Sequence, residues 1–291
     1  MQSEKKGVIL AGGTGSRLSP VTSTQSKQLL PIFDKPMIYY PLATLMSAGI
    51  KEICIIVNPH EEDNFRKLLG DGSSFGININ FVTQPSPDGI AQAYILAEEF
   101  LDGKQSCLVL GDNVFVGGGL GEQLSNIDSN EGAKIFLYEV QNPRAYGNVK
   151  LNKFGEIESI IEKPKIPLSK YAIPGIYFMD GSAPRRAHKL GKSDRGEIEI
   201  TDLLNTYLIE GSLESKILSR GTAWLDTGTP EDLFAAGELI RVLQARQGVY
   251  IACLEEIALR NGWIEFSKIE RQHKNIKSSY SKYVLNLGCN N

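Results

Sequence analysis

The sequence predicts an α/β architecture of Rossmann-like character: a mixed, mostly parallel sheet flanked by helices, with inserted antiparallel strands and a small helical region at the C-terminus. Three features carry this reading. Short β-branched runs alternate with longer amphipathic ones from Gly7 to Leu110, the texture of a doubly wound sheet. Near Gly132 the chain changes to short extended segments separated by Gly, Pro and Asn, which reads as strands that include antiparallel ones. After Thr229 a helical period returns.

In chain order, residues 7–11 read as a buried strand. Residues 36–48 read as a helix with Pro36 at its first position and Gly49 past its end, the positions these two residues favour. Residues 52–57 are a second strand, 61–69 a helix and 77–82 an extended segment. Residues 90–101 are helical, with Ile90, Ala93, Ala97 and Leu101 on one face, and 106–110 are a continuous apolar strand. Beyond Gly132, strands are expected at 134–140, 147–151, 157–162 and 173–179. A helix follows at 200–209, a strand at 214–218 and a short run at 223–226. Thr229-Pro-Glu-Asp supplies an N-cap, a first-turn proline and acids at the positive end of a helix whose inner face holds Leu233, Ala236, Ile240 and Leu243. Residues 1–247 are thus expected to form one α/β domain whose texture divides it into parts at about 5–131 and 132–229. Residues 248–291 read as a helical appendix suited to packing or self-association.

The chain has 291 residues, 42% apolar and 22% charged, with 31 basic against 34 acidic side chains and a net charge of −3. That balance provides no bulk drive toward nucleic acid or an anionic membrane. The uncharged stretch 36–50 contains two prolines and falls short of the ~20 residues that span a bilayer. The polar start, Met1 to Lys6, runs into Gly-Val-Ile-Leu without the pattern of a signal peptide, so a cytoplasmic location is expected. Cys54, Cys107, Cys253 and Cys289 are scattered, as are His60, His188 and His273. Neither set suggests a zinc centre or a hydrolase triad, and reduced thiols are expected. No repeat of 20–50 residues is present.

The first strand runs into Gly12-Gly13-Thr14-Gly15-Ser16-Arg17-Leu18. Backbone N–H groups of such a loop can close around phosphate oxygens, because glycine permits unusual dihedrals and close approach. It is not a Walker A loop, which needs Gly-Lys-Ser/Thr, nor a dinucleotide fingerprint, since Leu18 stands where the third glycine belongs. A plain tight turn stays open on the loop alone. Arg17 and Lys27 lie in a stretch, 16–30, without any acid, which suits a triphosphate as well as a solvated basic surface. Asp112 and Asp226 each follow a strand-like run, where open α/β sheets bind ligands. Two hard oxygen ligands completed by phosphates suit Mg²⁺ rather than zinc, although either aspartate alone is as readily a turn former.

Leu10-Ala-Gly-Gly-Thr-Gly-Ser-Arg-Leu18, Ser26-Lys-Gln-Leu-Leu-Pro31 and Asp34-Lys-Pro-Met-Ile-Tyr-Tyr-Pro41 closely resemble the sugar-1-phosphate nucleotidylyltransferases, and the likeness extends from about Lys5 to Leu287. Within them Gln28 resembles the thymidylyl branch, which couples dTTP to glucose-1-phosphate on the way to dTDP-rhamnose or related deoxysugars. The resemblance implies catalytic Arg17, Lys27 and Asp112, and Mg²⁺ held by Asp112 and Asp226. It implies nucleotide contacts from Gly12, Gly15, Ser16, Gln28, Gln84 and Gly89. Gln84 offers a donor and an acceptor to thymine N3–H and O4, and would serve uracil equally. For the sugar phosphate it implies Asn113, Tyr146, Gly147, Glu162, Lys163, Ile173, Gly175, Arg195 and Trp224. Ile173 and Pro174 depart from the family's usual Val and Thr. The resemblance further implies a homotetramer with a second nucleotide-sugar site involving Glu256 and Arg260, where Gly117-Gly-Gly-Leu-Gly121 departs from the usual aromatic and histidine residues.

Rival readings are separable on the same residues. A nicotinamide dehydrogenase would need an acidic ribose partner that is not found, and a glycosyltransferase would need an Asp-x-Asp motif. A uridylyl enzyme or a non-catalytic nucleotide-sugar sensor remains open, although a pure binder has no need of Arg17, Lys27, Asp112 and Asp226 together.

Overall fold

The structure, a computed structural model, describes residues 5–128 and 131–289. The first half runs β1 (Lys6–Ala11), a small hairpin of β2 (Pro31–Ile32) and β3 (Lys35–Pro36), α1 (Tyr39–Ser47), β4 (Glu52–Val57), α2 (Glu62–Leu69), β5 (Asn78–Thr83), α3 (Gln92–Leu96), α4 (Glu98–Leu101), β6 (Ser106–Leu110), β7 (Asn113–Val116) and α5 (Leu120–Ser125). The second half runs β8 (Ala133–Glu139), β9 (Asn148–Leu151), β10 (Ile157–Ile161), β11 (Tyr171–Ala172), β12 (Ile176–Met179), α6 (Ala183–Ala187), α7 (Ile200–Ile209), β13 (Leu213–Ile217), β14 (Ala223–Asp226) and α8 (Pro230–Gln247). The C-terminal segment folds as α9 (Leu254–Arg260), α10 (Phe266–His273) and α11 (Ser279–Asn286).

One sheet takes the order β10-β9-β11-β8-β12-β6-β1-β4-β5, with β13 added beside β8. Strands β6, β1, β4 and β5 are parallel, and β12 runs antiparallel to both β6 and β8. Alternation along the parallel strands divides the core. Val8, Cys54 and Leu108 face α3 and α7, whereas Ile9, Ile55 and Val109 face α1 and the C-terminal helices. Leu254, Ala258, Ile269 and Val284 of the C-terminal segment belong to this second layer. Chain order reverses at β1, because β4 and β6 flank it. The carboxyl ends of β1 and β6 therefore bound a crevice at the switch point of the sheet.

Several elements differ from expectation for identifiable reasons. Pro36 does not open a helix: it pairs with Pro31 in the hairpin, and α1 begins at Tyr39. Pro41 occupies the first turn instead, where backbone N–H groups lack intrahelical partners. Gly49 does close α1, at φ +80°. The segment 90–101 is interrupted at Ala97, whose backbone (φ −91°, ψ 5°) leaves the helical range. Residues 173–175 stay outside β12, since Pro174 has no N–H to give and the N–H of Gly175 is taken by the Asn113 side chain at 3.0 Å. The long helix forms as expected: the Thr229 hydroxyl accepts from the N–H of Asp232 at 3.2 Å, and Gly248 ends α8 at φ +69°. Cys54, Cys107 and Cys253 are buried free thiols, while the side chain of Cys289 lies outside the described residues. Among the described residues no helix is long and apolar enough to cross a membrane.

Candidate active site

A cleft of about 420 Å³ opens at the switch point, and every residue singled out from the sequence for the substrates and the metal except Gly12 lines it, whereas Glu256 and Arg260 lie elsewhere. Gly12 lies just beneath: a Cβ there would stand 2.1 Å from the Gln84 side-chain oxygen, so only glycine lets the loop lie on Gln84. Gly15 takes φ +63° and opens the tight turn that carries Ser16 and Arg17. Ser16 and Arg17 form a 3-10 turn through Leu18, which is buried and pins the loop to the body of the protein.

Asp112 and Asp226 meet because of a pairing that their distance in sequence hides. Strand β14 runs antiparallel to β7 with Asp226 opposite Asn113, next to Asp112. Thr227 then clips the two ends together, its N–H and hydroxyl reaching the Asp112 carbonyl at 3.1 and 2.7 Å. Lys27, 9% exposed, makes a direct ion pair with the Asp112 carboxylate. The Arg17 guanidinium lies against Gly228 beside Asp226, where a Cβ would stand 2.7 Å from it.

Burial works against the charge of Asp112, but the Lys27 ammonium and an amide hydrogen bond from Asn113 outweigh it and hold the carboxyl below its ordinary range. Burial first, and then the Asp112 charge, push Asp226 up to about 6. Two half-buried carboxylates forced together in this way are what a divalent cation relieves. Among the described residues no cluster of three or more His, Cys, Asp or Glu is available to a metal. The pair therefore fits a divalent ion that takes the rest of its shell from phosphate and water.

Gln84 is 3% exposed, and its amide donates to Gln92 at 2.7 Å. Gln28 is equally buried and accepts from Ser26 at 2.6 Å. Gly89 adopts φ +112°, and a Cβ would stand 2.4 Å from the Ile198 carbonyl. This close approach zips the loop after β5 to the segment before α7, where Ile198 also bonds Asp88 and Ala91.

Next to Asp112, Asn113 acts as a hub. Its amide oxygen accepts from Trp224 Nε1 at 2.6 Å and from Gly175 N–H, and its amide nitrogen donates to Asp112 at 3.0 Å. Tyr146 packs on Trp224 with ring centroids 4.9 Å apart. Gly147 leaves an open face over Glu162, Ile173 and Thr201, all within 3.5 Å of where its Cβ would be. Burial raises the Glu162 carboxyl, partly offset by Lys163 and Arg195. Arg195 lies 3.4 Å from both Glu162 and Glu199, and 3.1 Å from Glu197. Glu197, Thr201, Tyr177 and Gly228 also line the cleft and were not singled out. Single residues in loops or at element ends carry no periodic signal that would mark them.

A second cleft lies between α1, the Gly117–Gly121 loop, α8 and α9, with Arg260 on its wall and Glu256 paired to Arg260 at 2.5 Å.

The family model described as "Nucleotidyl transferase" matches residues 6–241. The glucose-1-phosphate thymidylyltransferase of Xanthomonas campestris pv. campestris (strain B100) is 51% identical over 286 residues, covering 98% of this chain and 97% of its own. That of Neisseria meningitidis serogroup A is 50% identical, with 97% and 99% covered, and that of Mycobacterium tuberculosis 48%, with 97% and 98% covered. Among solved structures, a Bacillus anthracis protein assigned as a glucose-1-phosphate thymidylyltransferase superposes with a TM-score of 0.75 at 39% identity, over 81% of this chain and 95% of that one. A UDP-glucose pyrophosphorylase reaches 0.73 at 21% identity, over 82% and 99%, which is a likeness of fold. The glycine loop, the paired acids and these full-length matches agree: the chain belongs to the nucleotidyl transferase family, among the glucose-1-phosphate thymidylyltransferases.

Proposed function

We propose that the protein transfers a thymidylyl group from dTTP to glucose-1-phosphate, giving dTDP-glucose and pyrophosphate, with Mg²⁺ as its metal. The observation that carries this reading is the Asp112–Asp226 pair set against Lys27 and Arg17 at the mouth of the glycine loop. A sugar-phosphate oxygen attacks the α-phosphorus of dTTP, and the bond from that phosphorus to the bridging oxygen breaks, its electron pair leaving on pyrophosphate. The nucleophile is already anionic near neutral pH, so no general base is required. Amides of the loop 12–16 and the Arg17 guanidinium hold the departing phosphates, and Lys27 faces the charge that builds at the reacting phosphoryl group. Gln84, Gln28 and the backbone at Gly89 receive the nucleoside. Glu162 accepts from sugar hydroxyls over Gly147, Ile173 and Gly175, Lys163 and Arg195 meet the sugar phosphate, and Tyr146 with Trp224 and Asn113 forms the wall. A divalent ion held by Asp112 and Asp226 supplies charge neutralisation and in-line alignment of the phosphates when bound.

Pyrophosphate release measured with glucose-1-phosphate across the nucleoside triphosphates, with and without magnesium, tests the reading. Release strongest with dTTP and dependent on magnesium is expected. Release strongest with UTP would place the protein among uridylyl enzymes, and release with ATP or GTP alone would overturn the base assignment. The product would serve dTDP-rhamnose or related deoxysugar synthesis in the cytoplasm.

A homotetrameric state is part of the same proposal, and one surface supports self-association. Val21, Phe33 and Phe234, the last 69% exposed, form an apolar groove with Leu233 on α8. Glu238 and Arg241 stand on its rim, one turn apart, so a second copy related by a two-fold axis sets each opposite its complement. Phe234→Ser is expected to weaken association roughly tenfold or more, read by sedimentation; unchanged association would remove this face from the interface.

A further inference from the structure

Lys35 is 4% exposed and lies outside the cleft lining. Its ammonium sits 2.6 Å from Asp34 and 3.4 Å from the Gln244 amide oxygen of α8, inside a cage of three tyrosine rings. Tyr40 belongs to α1, whereas Tyr250 and Tyr280 come from the C-terminal segment, with centroids at 5.6, 5.6 and 5.8 Å. Such ring faces attract a desolvated cation. Gln244 completes the knot by donating to Asp34 at 3.0 Å and accepting from the N–H of Ile251 at 2.9 Å. Tyr280 is itself tethered, its hydroxyl donating to the buried Glu255 at 2.5 Å.

The backbone on either side of this knot leads into the chemistry. Met37 N–H donates to the Leu30 carbonyl and Ile38 N–H to the Gln28 carbonyl, both at 2.9 Å, so the strand bearing Lys35 holds the turn bearing Lys27. The Met37 sulfur lies 3.3 Å from the hydroxyl of Thr227, the residue that clips Asp112 to Asp226. We propose that Lys35 is a positioning residue for nucleotidyl transfer: caged between the C-terminal helices and α8, it anchors the hairpin β2–β3 and thereby sets Lys27 against the two metal-binding aspartates. Burial lowers the Lys35 pKa and the Asp34 carboxylate counters that fall, which agrees with a cation kept for its place in the cage. The C-terminal segment contributes to catalysis through this contact without meeting either substrate. The inference rests on the catalytic reading of the cleft.

Lys35→Met keeps length and apolar stem while deleting the charge. We expect it to fold, by circular dichroism and thermal melting, with kcat lowered about 10- to 100-fold, the scale of a slightly displaced catalytic group. KM for dTTP and glucose-1-phosphate should stay within about threefold, because no substrate contact is removed. A folded Lys35→Met with wild-type kcat, or one whose loss lies in KM alone, overturns the proposal. If Lys35→Met does not fold, Tyr280→Leu removes one wall of the cage and leaves the Asp34–Lys35 pair in place; a fall in kcat at steady KM supports the anchor and wild-type kcat overturns it. Wild-type protein that releases no pyrophosphate would instead sink the catalytic reading, and this inference with it.

Discussion

Asp112→Asn should stay folded, with a lowered melting temperature because Lys27 loses its partner, and lose at least about 100-fold in turnover, the range seen when a preorganised charge contact is removed. Asparagine fits the same volume, and the groups around it are retained. The carbonyl of residue 112 still receives both bonds from Thr227, and β7 still pairs with β14. What changes is charge. Lys27 loses its partner, and the site presents one carboxylate to a divalent ion where two stood. Steady-state pyrophosphate release over a magnesium titration is the measurement. A variant that turns over at the wild-type rate at ordinary magnesium would remove Asp112 from the mechanism.

Lys27→Ala is the second large effect, again at least about 100-fold in kcat. Here a cation leaves and two half-buried acids remain. In the absence of metal, breaking a fully buried pair costs on the order of 3–5 kcal/mol, which is the upper bound for this largely buried one. The melting temperature should therefore fall, and magnesium together with dTTP should restore part of it by binding the folded state. The core layers beneath, built on Ile9, Ile55 and Val109, are untouched, so the variant is expected to be folded at room temperature. Wild-type kcat in Lys27→Ala, with circular dichroism confirming the fold, would exclude its catalytic role.

Much of this site could be read from residue types because each uses a chemical property that survives without coordinates. On the proposed reading the Gly12–Ser16 loop is glycine-rich so that it can approach an anion, and Asp112 and Asp226 are hard oxygen donors placed after strands. Their meeting was not readable. It depends on two four-residue strands, β7 and β14, too short to declare a register and separated in sequence by residues 117–222. Pro36 shows the opposite failure: a residue that often begins helices pairs in a two-residue strand, and the helix waits for Tyr39. Lys35 beside Pro36 looks like any surface charge in sequence, and only the folded chain gathers Tyr40, Tyr250 and Tyr280 around it. Gln84 and Gly89 were legible through motif resemblance, whereas their supports, Gln92 and Ile198, depend on how distant loops meet.

The ribbon of β7 and β14 stands apart from the ten-stranded sheet, and side chains along it alternate between its two faces. A slide of β14 by one position would swing residue 226 away from residue 112, whereas a slide by two would bring another side chain to the same face. Insertions and deletions between Ile217 and Ala223 can therefore persist through evolution only if the intervening loop bulges out to absorb them, or if they shift the ribbon in even steps that deliver a fresh acid to the vacated place.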